Sequence, residues 1–271
     1  VTESPQVAAA LLRFRQQRWD QARMRRTLPA LLFVVALLVA WRWAQVDLVR
    51  LLAGIPRMGH WLAQAWPPAL HELPIFIERM GETVAIAFLG TLAAATLAVP
   101  VAFLAARGTT PLPWLRLPLR WWLNAVRGID SFVFALVLVA AVGLGPFAGL
   151  LGVALHTWGS AAKLFADQIE TMPQENVQAL EVGGAGRLLA FRFAMVPELL
   201  PSWASITLYL FEFNVRASTV LGVVGAGGIG QELKSSMDLL DFARLATIIA
   251  VILVAVTVID AAAAWMRRRL S

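Results

Sequence analysis

Long apolar runs separated by short polar stretches set the character of this chain. A run of about 20 apolar residues is enough to cross a hydrocarbon core about 30 Å thick. The pattern predicts six membrane-spanning helices over about 28–43, 82–106, 129–142, 147–167, 202–224 and 242–266. Residues 1–27 are polar and read as a partly helical tail. It either lies along a membrane surface through Arg13, Arg18 and Arg25 or stays solvated. Residues 45–81 carry Gly54, Pro56, Trp61, Trp66, Pro67, Pro68 and Pro74 and read as interfacial helix and loop rather than a span. Trp41 and Trp43 close the first span, where tryptophan suits the headgroup region. The chain thus divides into a tail over 1–27, a first helix with its interfacial segment over 28–81, and a core over 82–271 containing a polar loop at 170–201.

Composition agrees with an all-α polytopic membrane protein. Of 271 residues, 59% are hydrophobic and only 15% charged, and the mean hydropathy is +0.70. Soluble domains usually carry about 25% charged residues. The absence of cysteine excludes disulfides and thiol ligands, and His60, His71 and His156 are too scattered to suggest a metal site.

The net charge of +6 raises nucleic acid as a partner, but its distribution argues against that. Arginines cluster beside apolar spans: Arg13 to Arg26 before the first, Arg107 to Arg127 after the second, and Arg267 to Arg269 after the last. With six spans these groups share one side, which the positive-inside rule makes the cytoplasm. Both termini and the 170–201 loop then lie in the cytoplasm. The basic segment before the first apolar run is too long for a signal peptide, and no small-residue cleavage site follows it closely.

Three patterns carry candidate chemistry. In the fifth span, Ser202, Ser205, Tyr209, Glu212, Arg216 and Thr219 recur at alternating steps of three and four, forming one polar stripe on an apolar helix. Asn214 and Ser218 flank it. Glu212 and Arg216 are four apart and can pair. Intramembrane charges are costly and usually face a bundle interior or a water path. The pair therefore reads either as a structural tie or as part of a permeation pathway in which Arg216 attracts an anion. Lys163 and Asp167 in the fourth span are also four apart and read as a structural pair, with His156 as an interior histidine. Asp130 and Asp260 read as interfacial.

Second, Pro173 can start a short helix, with Val177, Leu180 and Gly184 following at helical spacing. Gly184 permits a sharp break or the close approach of a partner backbone. Third, Gly225 to Gly230 formally matches G-x-G-x-x-G. A dinucleotide fingerprint needs a strand before it and an acidic residue about 20 positions on. Here a lipid-type helix precedes it, so a flexible or closely packed re-entrant turn is expected. No G-x-x-x-x-G-K-[ST] occurs, so the chain does not bind ATP through a P-loop.

Gln178-Ala179-Leu180, then Gly184, then Leu200-Pro201 resembles the cytoplasmic coupling loop of bacterial ABC-importer permeases, whose pattern is Glu-Ala-Ala, three residues, Gly, then Leu-Pro. Gln178 replaces the family glutamate, which keeps the shape and drops a charge. The stretches from Val142 to Gly149, His156-Thr157 and Lys163-Leu164-Phe165 extend the resemblance, as do Phe211 to Gly222 and Val224 to Leu233. They look like the permease subunit of phosphonate importers, with close relatives that import phosphite and hypophosphite. The likeness covers roughly 80–270.

It implies a type I ABC-importer permease fold in the bacterial inner membrane. Two copies form the pore, with two cytoplasmic ATPase subunits and one periplasmic substrate-binding protein. The chain itself has no cofactor, since ATP and Mg belong to the ATPase. The ATPase-coupling residues are then Pro173, Val177, Gln178, Ala179, Leu180 and Gly184. The pathway residues are Ser205, Tyr209, Glu212, Asn214, Arg216, Ser218 and Thr219. A permease of the same architecture for an amino acid is the alternative. An intramembrane enzyme lacks paired carboxylates or a Ser/His dyad, and a scaffold explains neither the loop nor the stripe.

Overall fold

Proline marks where helices begin. Pro74, Pro113, Pro146 and Pro197 each occupy the first turn of a helix, where a missing N–H costs no hydrogen bond and the fixed φ is already helical. The computed structural model describes residues 29–173, 175–184, 186, 189 and 191–270. The expected tail over 1–27 lies outside the described residues. The chain divides into two units, Val1–His60 and Trp61–Ser271.

In the first unit, α1 (Pro29–Trp43) is followed by the start of α2 (Leu48–Gln64), and the two axes differ by 50°. Every residue of α1 is exposed. Asp47 caps α2, accepting the Arg50 N–H at 2.9 Å.

The second unit is a helical bundle. After one 3₁₀ turn at Leu70–Glu72 come α3 (Leu73–Ala105), α4 (Pro113–Gly128), α5 (Ser131–Val142), α6 (Pro146–Thr171) and the short α7 (Glu175–Val182). A π turn at Phe191–Met195 leads into α8 (Val196–Leu221). A 3₁₀ turn at Gly222–Val224, α9 (Ile229–Asp238) and α10 (Phe242–Leu270) complete it. No strand occurs among the described residues.

Small residues let α6 act as the hub. A Cβ on Gly152 would sit 2.9 Å from Ala135 Cα of α5, one on Gly159 2.9 Å from Val126 Cγ1 of α4, and one on Gly149 2.5 Å from the Ala226 carbonyl oxygen. On its α3 side, Gly90 approaches Val153 in the same way. Where lipid gives no hydrophobic drive between helices, such close approach supplies the dispersion contact that holds them together. Ala94, Ala98, Ala161 and Ala162 are likewise fully buried.

Several expected boundaries change. The second span begins at Leu73 rather than Glu82, because Pro74 starts the helix instead of breaking it. A boundary at residue 82 would fall inside α3. At 33 residues, α3 is about 50 Å long. The third span over 129–142 is corrected too: α5 has 12 residues, about 18 Å and too short to cross alone. It is bent by 85° from α4, and the two form a broken span or a re-entrant pair. Of the arginines after the second span, Arg116, Arg120 and Arg127 therefore sit on a helix, while Arg107 lies in the turn before it.

Among the described residues, Leu70–Ala105 and Phe242–Leu270 are long and apolar enough to cross a bilayer, and counting each bent pair as one span gives up to four. The 26-residue helices α6 and α8 have the length, about 39 Å. Their polar residues turn largely inward, which lowers their hydropathy without forbidding a buried position.

Candidate functional site

Helix α8 has two contrasting faces. Tyr209, Phe213 and Val220 are 56%, 41% and 51% exposed, and Arg216 shares their side with its side chain 47% exposed. Ser202 and Ser205 are half-buried toward the same side. The 100° step of a helix sets Asn214 and Ser218 on the other face, where they are 0% and 1% exposed. Asn214 and Ser218 therefore do not flank the predicted stripe but belong to the interior of the protomer. The Asn214 amide donates to Thr91 Oγ1 of α3 at 2.7 Å and to Thr157 Oγ1 of α6 at 2.8 Å. One side chain thus ties three helices together. Among the described residues, Asn214 Oδ1 and Ser218 Oγ are buried without a hydrogen-bond partner. Thr219 Oγ1 donates back to the Arg216 carbonyl at 2.7 Å.

The expected Glu212–Arg216 pair is not formed. Arg216 Nη1 donates to both carboxylate oxygens of Asp260, at 3.0 and 2.8 Å. Glu212, 7% exposed, accepts from Arg267 instead. The reason is the neighbour. Helix α10 runs antiparallel to α8 and presents Asp260 and Arg267 seven residues apart, two turns along one face. Glu212 and Arg216 lie one turn apart and meet opposite charges across the helix interface. Asp260 is accordingly a partner for α8 rather than an interfacial residue. The sequence signal was this seven-residue spacing of opposite charges in the last span.

The expected Lys163–Asp167 pair is also replaced. Lys163 Nζ donates to Asn124 Oδ1 at 2.6 Å, and Asp167 accepts from Arg120 at 3.1 Å. One turn further on, Glu170 Oε1 takes the Arg107 N–H at 2.7 Å, Arg116 Nη2 at 3.3 Å and Arg120 Nη2 at 3.0 Å. Arg116 and Arg120, two of the arginines counted by the positive-inside rule, thus brace α4 against α6. Asp130 caps α5, accepting the Phe132 N–H at 2.8 Å. His156 Nδ1 lies 2.8 Å from the Ile129 carbonyl oxygen.

The brace sits at the base of the 170–201 loop. Within the loop, α7 begins at Glu175, so Pro173 precedes the helix rather than opening it. Val177 packs on the apolar cluster around Phe165 and Trp203. Gln178, Ala179 and Leu180 are exposed. Gly184, with φ +85°, follows the end of α7 in the left-handed conformation that glycine adopts there without a Cβ penalty.

At the opposite end, where α3 begins, the Gly225 to Gly230 segment is a tightly packed turn. Ala226 and Ile229 are fully buried. The Ile229 N–H donates to Thr83 Oγ1 at 2.8 Å, and the Gly145 N–H to the Gly225 carbonyl at 2.8 Å. A Cβ on Gly227 would fall 2.8 Å from Glu82 Oε1. Packing, not phosphate binding, explains these glycines. Around the turn, Arg79 pairs with Glu82 at 2.9 Å, and Arg244 with Glu72 at 2.9 Å and Glu232 at 3.1 Å. Arg79 and Glu82 are three apart on α3, but the Arg244 contacts join separate elements and had no signal in sequence spacing.

The described residues form a helical bundle whose α8 carries the half-exposed Arg216–Asp260 pair and whose short α7 lies in a loop braced at Glu170. Residues 98–271 match the family described as binding-protein-dependent transport system inner membrane component, and the chain belongs to that family, the permease subunits of ABC transporters.

Among curated relatives, "Putative phosphite transport system permease protein HtxC" of Stutzerimonas stutzeri is 44% identical over 89% of this chain and 86% of its own. "Phosphite transport system permease protein PtxC" of the same species is 36% identical over 88% and 87%. The fold is also that of the MetNI methionine ABC transporter in an inward-facing conformation, with a TM-score of 0.63 at 19% identity, covering 72% of this chain and 96% of that one.

Proposed function

We propose that the chain is the membrane-spanning subunit of an ATP-driven importer for phosphonate or a related reduced phosphorus oxyanion, phosphite or hypophosphite. The observation that carries this is the half-exposed Arg216–Asp260 pair on the outer side of α8, in a chain whose close relatives are named for phosphite transport. A charge pair facing hydrocarbon is costly, so this face belongs against water or a second permease. Ser205, Tyr209 and Arg216 line the pathway there, while Glu212, Asn214, Ser218 and Thr219 support it from within. The likeness to the methionine transporter, at 19% identity, concerns the fold, and the amino-acid alternative has no separate support.

In this reading two copies of the chain form the pore, with both termini in the cytoplasm as the arginine clusters indicate. The segment from Pro173 through α7 to Gly184 docks in a cleft of a separate ATPase that binds ATP and Mg. Gln178, Ala179 and Leu180 supply its exposed contact surface, and Val177 anchors it to the bundle. A periplasmic binding protein delivers the substrate to the opposite end.

The test is uptake by vesicles containing the assembled permease, ATPase and binding protein, with labelled phosphite, methylphosphonate and methionine compared. Uptake of methionine without either phosphorus oxyanion would overturn the reading. A single cysteine on the outer side of α8 that crosslinks to its counterpart in a second copy supports the two-copy pore, whereas crosslinking only to a different permease chain refutes it.

A further inference from the structure

We infer that Asp260 positions Arg216 and weakens its hold on the transported anion, so that the guanidinium meets substrate along its free Nε–Nη2 edge while Nη1 stays on the carboxylate. The inference rests on the pathway reading above. Arg216 uses only Nη1, which donates to both Asp260 oxygens. Among the described residues, Nε and Nη2 have no partner. These two N–H groups form one side of the planar fork that matches two oxygens of an oxyanion. The pair is accessible, with side chains 47% and 41% exposed, unlike Glu212, whose side chain is 9% exposed.

The neighbouring charges sharpen the argument. Glu212 lies one turn away and would compete for the same guanidinium if it were free. It is occupied by Arg267, which fixes it against α10. The four charges therefore sort into one pair with a buried carboxylate that holds helices and one more accessible pair with unused donors. An oxyanion bound to an arginine with no counter-ion would be held tightly, and a pathway must release what it admits. Asp260 lowers the local positive charge without taking the whole fork. It repels the bound anion by charge alone.

The complete complex in vesicles, with phosphite as the probe, tests this through Asp260→Asn, Arg216→Gln and the swap of Arg216→Asp with Asp260→Arg. Assembly of each is checked by co-purification of the ATPase. The Asp260→Asn change keeps a hydrogen-bond acceptor and removes the charge. The expected result is that Asp260→Asn retains phosphite on the complex through rapid gel filtration and transports about tenfold more slowly, the scale of one charge-assisted hydrogen bond. Arg216→Gln should lose uptake, and the swap should assemble without recovering it.

Wild-type uptake by Asp260→Asn, alongside loss in Arg216→Gln, overturns the role of Asp260 and leaves the pathway reading standing. Wild-type uptake by Arg216→Gln overturns both. Restored uptake in the swap shows the pair to be a structural tie and overturns the inference.

Discussion

Glu170 of α6 and Arg120 of α4 meet at 3.0 Å, and the same carboxylate oxygen also receives Arg116 and the Arg107 N–H. One donor from the α3–α4 connection and two from α4 thus converge on the last turn of α6, directly before the loop that contains α7. Displacement of that loop has a polar joint through which to reach the α4–α5 pair.

Replacing Glu170 by Gln keeps an acceptor and removes the charge. The side chains of Glu170 and Arg116 are 20% and 18% exposed, so solvent screens the contacts only in part. A loss of about 1–2 kcal/mol in stability is expected, read as a lower midpoint of thermal unfolding in detergent. Uptake should fall more than ATP hydrolysis in the assembled complex. Parallel loss of both would show the joint to be a stabiliser only.

At the other end, Gly228→Ala should be far more damaging than its size suggests. Gly228 has φ +75°, and an added Cβ would run into Thr83 Oγ1. That oxygen already accepts the Ile229 N–H. Strain of about 1–3 kcal/mol from the backbone adds to the lost hydrogen bond of about 1 kcal/mol. Thr83→Val removes the Ile229 hydrogen bond together with the one Thr83 Oγ1 donates to the Arg79 carbonyl at 3.0 Å, but adds no backbone strain, and should show the smaller shift of the two in the same unfolding assay.

The two faces of α8 give a contrast that labelling can read in this cysteine-free chain. Single cysteines at Tyr209 and Val220, both more than half exposed, should react with a water-soluble maleimide if that side lines an aqueous path. A cysteine at Ser218, 1% exposed, should stay protected while the protein is folded. Protection at Tyr209 and Val220 equal to that at Ser218 would place this side against lipid or a dry interface.

These contacts show what a sequence pattern can and cannot reveal. The three-four spacing in α8 located Glu212, Arg216 and the serines, because a helical face depends only on positions within one segment. Their partners could not be read the same way. Asp260 and Arg267 lie on another helix, and which residues meet is set by the antiparallel packing of α10. The i to i+4 rule therefore assigned Glu212 to Arg216 and Lys163 to Asp167, while tertiary neighbours offered better geometry. Asn214 was expected to flank the stripe, yet the packing of α8 turns it inward, where its amide donates to Thr91 and Thr157. The close packing of Gly225 to Gly230 was partly legible, since the glycines signalled a tight turn but not the Thr83 and Glu82 atoms filling the space. The bend between α4 and α5 was missed because the arginine-bearing stretch that forms α4 read as a connection between spans, and 129–142 as a span of its own.

Gly184 offers a test that separates folding from coupling. Its φ of +85° is unfavourable for most L-residues, at about 1–2 kcal/mol. Asparagine tolerates that conformation better than other residues. Among the described residues, an added Cβ at Gly184 would meet nothing within 4 Å. A bulky residue there therefore meets little resistance from within the protomer beyond backbone strain. Gly184→Asn should insert and transport close to wild type. Gly184→Trp should also insert, with unfolding lowered only by the strain, but a ring at the end of α7 would obstruct a partner's cleft. The expected signature is ATP hydrolysis by the co-purified ATPase that no longer rises with phosphite-loaded binding protein, together with lost uptake. Normal uptake in Gly184→Trp would mean that this end of α7 does not enter the ATPase. Equal loss in Gly184→Asn and Gly184→Trp would assign the defect to backbone geometry rather than to an obstructed cleft.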